Sequence, residues 1–275
     1  MAAHTAMNIH FISGLPRSGS TLLAAILNQN PDFKASIVSP VAPIVTRLLN
    51  QMSMQHETSI FIDDDKRRRL VKSVFDVFYF DEQSIYDQVT VFDSNRAWCA
   101  KLPLLTSLFP DCKMICCVRD VPWIFDSVER FVRRNCFQPS ALFNYAAGGT
   151  VYSRCEQLAA PDGMIGFALN ALREACYGEQ RSHIMLLDYQ SLVANPIAAM
   201  EEIYHFIGAQ PFKHDFFDVY IDAIAFDAHI GAPGLHAVRR EVSYKQRESI
   251  LPPDLYQRYA NLSFWVDGIP DVLIV

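Results

Sequence analysis

The stretch that most constrains the fold runs from Asn8 to Asn28 and reads NIHFISGLPRSGSTLLAAILN. It begins with an apolar run, Ile9 to Ile12, that is typical of a short buried strand, and a glycine-rich turn follows. A second apolar run begins at Ser18–Ser20 and has the composition of a helix. The first backbone N–H groups of a helix have no partner within it, and the helix dipole favours negative charge there. A strand, a glycine turn and a helix N-terminus therefore predict a site for an anion.

The turn itself, GLPRSGST from Gly14 to Thr21, has the G-x4-G-x-[ST] skeleton of a phosphate-binding P-loop. The lysine that contacts the β- and γ-phosphates in nucleotide triphosphatases is missing, because Ser20 stands in its place. Arg17 is the only cation in the loop. The loop therefore suits an anionic phosphate better than ATP-Mg, and the alternative is a turn that merely starts a helix.

Composition limits the function classes. A chain of 275 residues with 51% hydrophobic residues can bury a large core, and we expect one domain over residues 1–275. A net charge of −6 argues against nucleic acid as a partner. The chain has no apolar run of about 18 residues and no signal-peptide pattern at its start, so no membrane span is expected. Seven cysteines without CxxC spacing are typical of reduced, buried thiols, which predicts a cytoplasmic protein.

Buried strands alternate with helical stretches along the chain. This alternation predicts an α/β fold with a central parallel sheet flanked by helices. The expected strands are 9–12, 89–93, 113–118 and 183–187, and the expected helices after the first are 41–54, 66–80, 101–109, 121–134, 196–208 and 253–265.

Chemically useful side chains follow the predicted strands. Ligands of parallel sheets bind at the carboxyl ends of the strands, which brings the first loop together with Lys101, Arg119 and Tyr189. Three cations, Arg17, Lys101 and Arg119, around one cleft of an acidic chain indicate a ligand with several negative charges. Ser127 lies about two helical turns beyond Arg119, so this pair could clamp a second phosphate. The sequence thus predicts a ligand with two anionic ends.

These segments resemble the signatures of sulfotransferases that use 3′-phosphoadenosine 5′-phosphosulfate (PAPS). SGLPRSGSTLL resembles the element that cradles the 5′-phosphosulfate, and CVRD-x6-S resembles the element that holds the 3′-phosphate. WCAKLPLLTSLFPDCKMICCVRD and LDYQSLVANP are similar to elements of the protein-tyrosine sulfotransferase branch. The resemblance covers roughly residues 8–30 and 97–208. It implies the sulfotransferase version of the P-loop nucleoside triphosphate hydrolase-like fold, and sulfonate transfer from PAPS to a hydroxyl without a metal.

The resemblance also implies residue roles. Arg17 and Lys101 would be catalytic, Arg17 by contacting the transferring sulfonate and Lys101 as a cofactor-facing lysine. Residues 231–240, GAPGLHAVRR, resemble a mobile loop that folds over the cofactor. The expected cofactor-binding residues are Gly14, Pro16, Arg17, Ser18, Gly19, Ser20 and Thr21 around the 5′-phosphate, Arg119 and Ser127 at the 3′-phosphate, Tyr189, and Arg239 or Arg240 near a phosphate.

The catalytic base and the acceptor stay open. The tyrosine-sulfotransferase branch has a glutamate shortly after the first helix, where this chain has KASIVSPVAPI and no carboxylate. The candidates are Glu57, His56, Asp93 and His236. The acceptor could be a peptide tyrosine, a sugar or a small-molecule alcohol or phenol, lined by residues 36–60 and 137–162, whose candidate side chains are Ser36, Ser39, Phe143, Tyr145 and Tyr152.

Two alternative functions remain open beside this interpretation, and the resemblance also suggests an assembly state. A P-loop kinase of a small molecule is the first alternative, although the loop lacks the Walker lysine. A non-catalytic nucleotide-binding protein of the same fold is the second, since no base is assigned. A homodimer is implied by the resemblance alone.

Overall fold

A parallel sheet forms the centre of the structure. The computed structural model describes residues 8–79, 89–137 and 149–275. Within these ranges the strands are β1 (Ile9–Gly14), β2 (Phe33–Ala35), β3 (Thr90–Ser94), β4 (Met114–Val118), β5 (Ile184–Asp188) and β6 (Leu273–Ile274). Their order is β2-β3-β1-β4-β5-β6, and all adjacent strands pair in parallel. The predicted α/β class with a central parallel sheet is confirmed.

Helices connect the strands and cover both faces of the sheet. The described helices are α1 (Ser20–Leu27), α2 (Val41–Gln51), α3 (Asp64–Tyr79), α4 (Leu102–Leu108), α5 (Val121–Arg134), α6 (Val151–Ala159), α7 (Met164–Tyr177), α8 (Tyr189–Ala194), α9 (Pro196–Ile207), α10 (Ile224–His229) and α11 (Pro253–Ala260). Short 3₁₀ turns occupy Glu57–Phe61, Arg96–Lys101 and Arg181–His183. Each predicted helix is present with ends shifted by a few residues, and α5 has the predicted bounds. The sequence did not indicate β2, α6, α7, α8, α10 or β6.

The core has two halves, one on each face of the sheet. Successive side chains of a strand point to opposite faces, so a strand covered by helices on both sides is apolar throughout. In β1, Phe11 and Ile12 are both fully buried but belong to different clusters. Phe11 packs against Trp98 and Phe75, with ring centroids 5.4 and 6.2 Å away. Ile12 belongs with α1 and α9 on the other face.

The cysteine side chains test the expectation of reduced, buried thiols. All seven cysteines are free thiols, and all except Cys136 are buried, which agrees with the reduced, buried thiols expected from their odd number and lack of CxxC spacing. In the described ranges, no helix combines the length and apolar character needed to cross a membrane.

His10 in β1 is a buried histidine that is kept neutral. Its side chain is 3% exposed, and its Nδ1 accepts a hydrogen bond from the Lys113 backbone N–H at 3.0 Å. Burial, reinforced by the positive charge of Lys113, lowers the pKa of His10 to about 4. The unfolded chain therefore binds a proton at this site between pH 6.5 and 4 while the folded chain does not.

We expect this difference to destabilise the fold as the pH falls through that window. The stability that His10 contributes is complete above pH 6.5 and is lost as the pH falls to about 4, in total about 3 kcal/mol. In His10→Asn the amide oxygen still accepts the Lys113 N–H but does not titrate. Urea unfolding from pH 7 to 4 should show a loss of unfolding free energy about 3 kcal/mol smaller in the variant. Parallel curves for the two proteins would contradict this account.

Candidate active site

One cavity lies at the carboxyl ends of the strands. Its volume is about 710 Å³, and it is bounded by the loops that follow β1, β3, β4 and β5. A segment between α10 and α11, residues 234–247, forms another wall. This is the position at which ligands bind in sheets of this type. The predicted meeting of the strand ends around one crevice is what the structure shows.

The cavity is strongly basic although the chain is acidic. Among the described residues, eight arginine and lysine side chains line it, against three carboxylates. The basic residues are Arg17, Arg96, Arg119, Arg130, Arg134, Arg239, Lys245 and Arg247, and the acidic ones are Asp120, Asp188 and Glu241. With a net charge of −6 for the whole chain, this concentration of cations marks a site for a polyanion.

Two glycines let the first loop take its shape. Gly14 has φ +97°, and a Cβ there would lie 2.3 Å from the carbonyl oxygen of Cys117 in β4. Gly19 has φ +99°, and a Cβ there would lie 2.8 Å from the ring of Tyr189. Both positions therefore require glycine. Gly14 shapes the turn without lining the cavity, whereas Pro16, Gly19, Ser20 and Thr21 all line it.

Ser18 has a structural role. Its hydroxyl donates to the carbonyl oxygens of Leu15 and Cys117, the latter at 2.9 Å, and the residue is buried. Ser18 is not among the residues that line the cavity. The expectation that its hydroxyl donates to a phosphate is therefore corrected, because that hydroxyl faces the backbone that holds the loop closed.

Arg17 connects three parts of the cavity wall. It has φ +58°, a left-handed conformation that non-glycine residues rarely adopt. Its Nε donates to the hydroxyl of Ser127 in α5 at 3.2 Å, and its NH1 donates to the carbonyl oxygen of Leu235. Arg119 in turn donates to the Arg17 carbonyl oxygen at 3.4 Å. The structure thus brings together the predicted residues Arg17, Arg119 and Ser127.

Arg119 and Tyr189 form a second contact across the cavity. The Arg119 guanidinium lies over the Tyr189 ring, 4.4 Å from its centroid. Burial lowers the pKa of Arg119, and it lowers the pKa of Arg17, which the positive charge of Arg119 lowers further. Two desolvated like charges at one place are typical of a functional site, because a bound anion relieves both penalties.

The basic residue that enters the cavity after β3 is Arg96 and not the predicted Lys101. Arg96 lines the cavity, and Lys101 does not. The Asn95 side chain accepts a hydrogen bond from the Ala97 N–H at 3.0 Å and so starts the 3₁₀ turn Arg96–Lys101. That turn begins beside the cavity and carries Lys101 away from it. Desolvation lowers the pKa of Arg96. The expectation that Lys101 faces the cofactor is therefore corrected: Lys101 lies outside the cavity, and Arg96 is the cation of this turn that lines it.

The two adjacent arginines predicted near a phosphate, Arg239 and Arg240, have different positions. Arg239 lines the cavity, whereas Arg240 does not and instead forms an exposed ion pair with Asp218. Arg239 is therefore the member of the pair that can reach a ligand.

The four candidates for the catalytic base differ in whether they reach the cavity. His56 and Glu57 are exposed and lie outside the cavity. Asp93 is fully buried outside it and accepts hydrogen bonds from Ser39, Tyr79 and Trp98, each at 2.7 Å. Burial raises the pKa of Asp93. His236 alone among the four lines the cavity.

Few of the residues expected at the acceptor site reach the cavity. Ile37 and Val38 line it, while Ser36 and Ser39 are hydrogen-bonded to the end of β3. Tyr152 is exposed and donates to Asp254 at 3.1 Å. The candidate aromatic residues Phe143 and Tyr145 lie outside the described residues.

Comparison with known proteins identifies the family of this chain. A family model described as the sulfotransferase family matches residues 10–214. The chain belongs to the sulfotransferase family. Human protein-tyrosine sulfotransferase 1 is 29% identical over 122 residues, which cover 43% of this chain and 33% of that protein. The protein-tyrosine sulfotransferase of Drosophila melanogaster is 23% identical over 210 residues, 73% of this chain and 38% of that protein. The matched regions thus span little more than a third of these relatives' own length.

A solved structure shares the fold of this chain. The sulfotransferase domain from the curacin biosynthetic pathway matches with a TM-score of 0.57 at 17% identity. The match covers 94% of this chain and 98% of that one. At this identity the match shows the fold, and it agrees with the sulfotransferase fold that the sequence motifs implied.

Removal of Arg119 should weaken the binding of a nucleotide bisphosphate. A charge-assisted hydrogen bond is typically worth about 1.5–3 kcal/mol, so Arg119→Ala should raise the Kd for 3′,5′-ADP about 10- to 100-fold. Arg240→Ala is the matched control, because it removes the same charge from outside the cavity. Calorimetric titration of both variants checks this. Equal affinities in the two variants would remove Arg119 from the binding site.

Proposed function

We propose that this chain is an enzyme that transfers the sulfonate of PAPS to an acceptor hydroxyl. The observation that carries the proposal is the meeting of Arg17, Arg119 and Ser127 from three different elements at the carboxyl ends of the strands. The residues present fit PAPS, which has a phosphosulfate at one end and a phosphate at the other. The family and the names of the curated relatives support the same activity.

The first loop would hold the 5′-phosphosulfate. Gly19, Ser20 and Thr21 line the cavity at the N-terminus of α1, where backbone N–H groups and the helix dipole favour an anion. Ser20 and Thr21 also carry hydroxyl donors. Arg17 would contact the sulfonate from the same loop, and Arg96 would approach it from the end of β3.

Arg119 and Ser127 would hold the 3′-phosphate, and Tyr189 would support them. The Ser127 hydroxyl accepts from the Arg17 Nε at 3.2 Å. Its own hydrogen has no acceptor among the described residues, so it could bond a phosphate oxygen. The Tyr189 ring under the Arg119 guanidinium fixes the direction in which that side chain points. Arg239 would add a charge from the segment of residues 234–247.

The chemistry requires positioning and charge more than covalent help from the protein. PAPS supplies an activated sulfonate whose leaving group is a phosphate. Negative charge grows on the bridging and leaving oxygens, as in phosphoryl transfer. The guanidinium groups of Arg17 and Arg96 would offset that charge, because they are fixed in a desolvated wall before the reaction begins.

For the acceptor, a peptide tyrosine is the first candidate to test. Both curated relatives described above are protein-tyrosine sulfotransferases. Phe226, Ile230 and Tyr244 line the cavity and offer apolar surface that would suit an aromatic ring. Sugars and small-molecule alcohols or phenols are the other classes for the same screen. A single domain over residues 1–275, a homodimer and a cytoplasmic location stay predictions.

No observation favours the kinase alternative. Ser20 occupies the position of the lysine that contacts the β- and γ-phosphates in triphosphatases. A protein that only binds the nucleotide would share the anion site but would not release 3′,5′-ADP from PAPS.

Titration with three nucleotides tests the proposal. We expect 3′,5′-ADP to bind, and 2′,5′-ADP to bind at least about tenfold more weakly, because Arg119 and Ser127 lie at one fixed place. ATP-Mg should bind more weakly than 3′,5′-ADP. A screen with ³⁵S-labelled PAPS against tyrosine peptides, sugars and phenols then identifies the acceptor. Preference for ATP-Mg would support the kinase instead, and binding of 3′,5′-ADP without any release of label would support the non-catalytic alternative.

Arg96 and Lys101 give a direct test of the corrected assignment. Arg96→Ala should lower the rate of sulfonate transfer about 100-fold or more, because a fixed charge at the transition state is lost. Lys101→Ala removes the same charge five residues later, outside the cavity, and should leave the rate within about twofold of wild type. The measurement is release of 3′,5′-ADP from PAPS at saturating acceptor. The opposite ranking of the two variants would restore Lys101 as the catalytic cation.

A further inference from the structure

A histidine–aspartate pair lies in the cavity wall and takes no part in the binding scheme above. His236 Nδ1 lies 2.6 Å from Oδ1 of Asp227, and the His236 backbone N–H donates to Oδ2 of the same carboxylate at 2.9 Å. The Asp227 side chain is 4% exposed and that of His236 is 15% exposed. Both carboxylate oxygens therefore hold one residue, which fixes the position and the direction of the imidazole.

The pairing determines which ring nitrogen is available. A carboxylate only accepts hydrogen bonds, so the neutral imidazole carries its proton on Nδ1 and its lone pair on Nε2. Within the described part of the chain, Nε2 of His236 makes no hydrogen bond. The ring lines the cavity and contacts Phe226, with ring centroids 5.3 Å apart. A group that can accept a proton therefore faces the space where an acceptor has to bind.

The backbone places this group beside the proposed sulfonate site. The carbonyl oxygen of Leu235 accepts from Arg17 NH1, and the nitrogen of His236 is the next backbone atom after that carbonyl group. Asp227 is close enough to raise the pKa of Arg17. The side chain of His236 thus begins within one peptide unit of the guanidinium that would contact the sulfonate.

The other carboxylates of the cavity wall have different roles or positions. Asp188 accepts from the N–H groups of Gln190 and Ser191 at the start of α8. Asp120 accepts from the Ser263 hydroxyl at 2.8 Å. Glu241 is exposed on the segment that carries His236. None of these three carboxylates is paired with a second group in the way that Asp227 holds His236.

We propose that His236, oriented by Asp227, is the general base that accepts the proton of the acceptor hydroxyl. This inference rests on the proposed sulfonate transfer. The acceptor O–H bond breaks as the acceptor oxygen bonds to sulfur, and the proton passes to Nε2 of His236. The bond between sulfur and the bridging oxygen breaks, and its electron pair leaves with the phosphate of 3′,5′-ADP. Solvent then takes the proton from the imidazolium. His236 is thus a catalytic residue, and Asp227 is a positioning residue.

His236→Gln tests the proposal with binding and turnover measured separately. Its Kd for 3′,5′-ADP should stay within about threefold of wild type. Its rate should fall about 10²- to 10⁴-fold, the usual contribution of a general base. Transfer is measured with the acceptor found in the ³⁵S screen, and slow hydrolysis of PAPS is measured in parallel, with water in the acceptor's place. His229→Gln is the matched control, since His229 is the last residue of α10, seven residues before His236, and is exposed and outside the cavity.

Two further readouts separate catalysis from a structural effect. Added imidazole should restore part of the turnover of His236→Ala, because a free imidazole can occupy the space that the substitution leaves. The pH–rate profiles of wild type and His236→Gln should also differ, because a glutamine side chain cannot accept the proton of the acceptor hydroxyl. The charged groups around His236 are Asp227 on α10, Arg17 on the first loop, and Arg239 and Glu241 on its own segment.

Asp227→Asn keeps the shape of the pair but removes the charge that selects the tautomer. It should lower kcat with little change in the KM for PAPS. If wild type does not bind 3′,5′-ADP, the proposed function fails. If wild type binds and turns over PAPS while His236→Gln keeps the wild-type rate, only the assignment of the base fails. A fall in 3′,5′-ADP affinity equal to the fall in rate would likewise make His236 a binding residue and overturn the assignment.

Discussion

The close approach of β1 and β4 at Gly14 is the contact on which the site depends. The Cys117 carbonyl oxygen accepts from the Leu15 N–H and from the Ser18 hydroxyl, both at 2.9 Å. This one oxygen holds the beginning and the middle of the loop against β4. A side chain at Gly14 would occupy the same space, so the loop can form only with glycine there. Because β4 ends one residue after Cys117, at Val118, the contact also fixes how far Arg119 lies from Arg17. The strand register thus sets the geometry of the charges.

The same geometry places an electrostatic cost in the folded chain. Burial lowers the pKa values of Arg17 and Arg119; the positive charge of Arg119 lowers the pKa of Arg17 further, and that of Arg247 does the same for Arg119. The fold therefore holds these guanidinium groups in a less favourable environment than water. The Tyr189 ring and the carbonyl oxygen of Leu235 offset part of that cost. An anion with several charges would offset the rest, so the repulsion becomes binding energy for a ligand of the proposed kind. Proteins commonly retain such destabilising arrangements where function requires them.

Much of the fold could be predicted from the sequence because its strongest patterns are local. The apolar run of β1, the strand β4 and the helix α5 between Val121 and Arg134 each combine composition with clear end signals. Helix α7 could not be recognised from the sequence. Much of its surface is buried, so it lacks a one-sided apolar pattern, and its N-cap Gly163 makes no side-chain cap bond. Gly166, inside the helix, is also an unfavourable residue for helix formation. A Cβ at Gly166 would lie 2.0 Å from the Ala160 carbonyl oxygen, and only the tertiary structure shows that close approach. Strand β2 has three residues at the sheet edge, too few for a periodic pattern.

The site was predictable where a residue follows its strand directly, and less so where a turn intervenes. Arg17, Arg119 and Tyr189 lie within three residues of a strand end, whereas the five steps of 3₁₀ helix from Arg96 to Lys101 advance the chain by about 10 Å. His236 illustrates the same limit, since its spacing of nine residues from Asp227 matches neither helix nor strand periodicity. Its position comes from two tertiary contacts: the Asp227 carboxylate holds the residue itself, and the bond between Arg17 and the Leu235 carbonyl oxygen ties its segment to the loop that would hold the sulfonate. The proposed base and the proposed sulfonate ligand are therefore positioned by the same arginine, so a displacement of that loop would move both groups together.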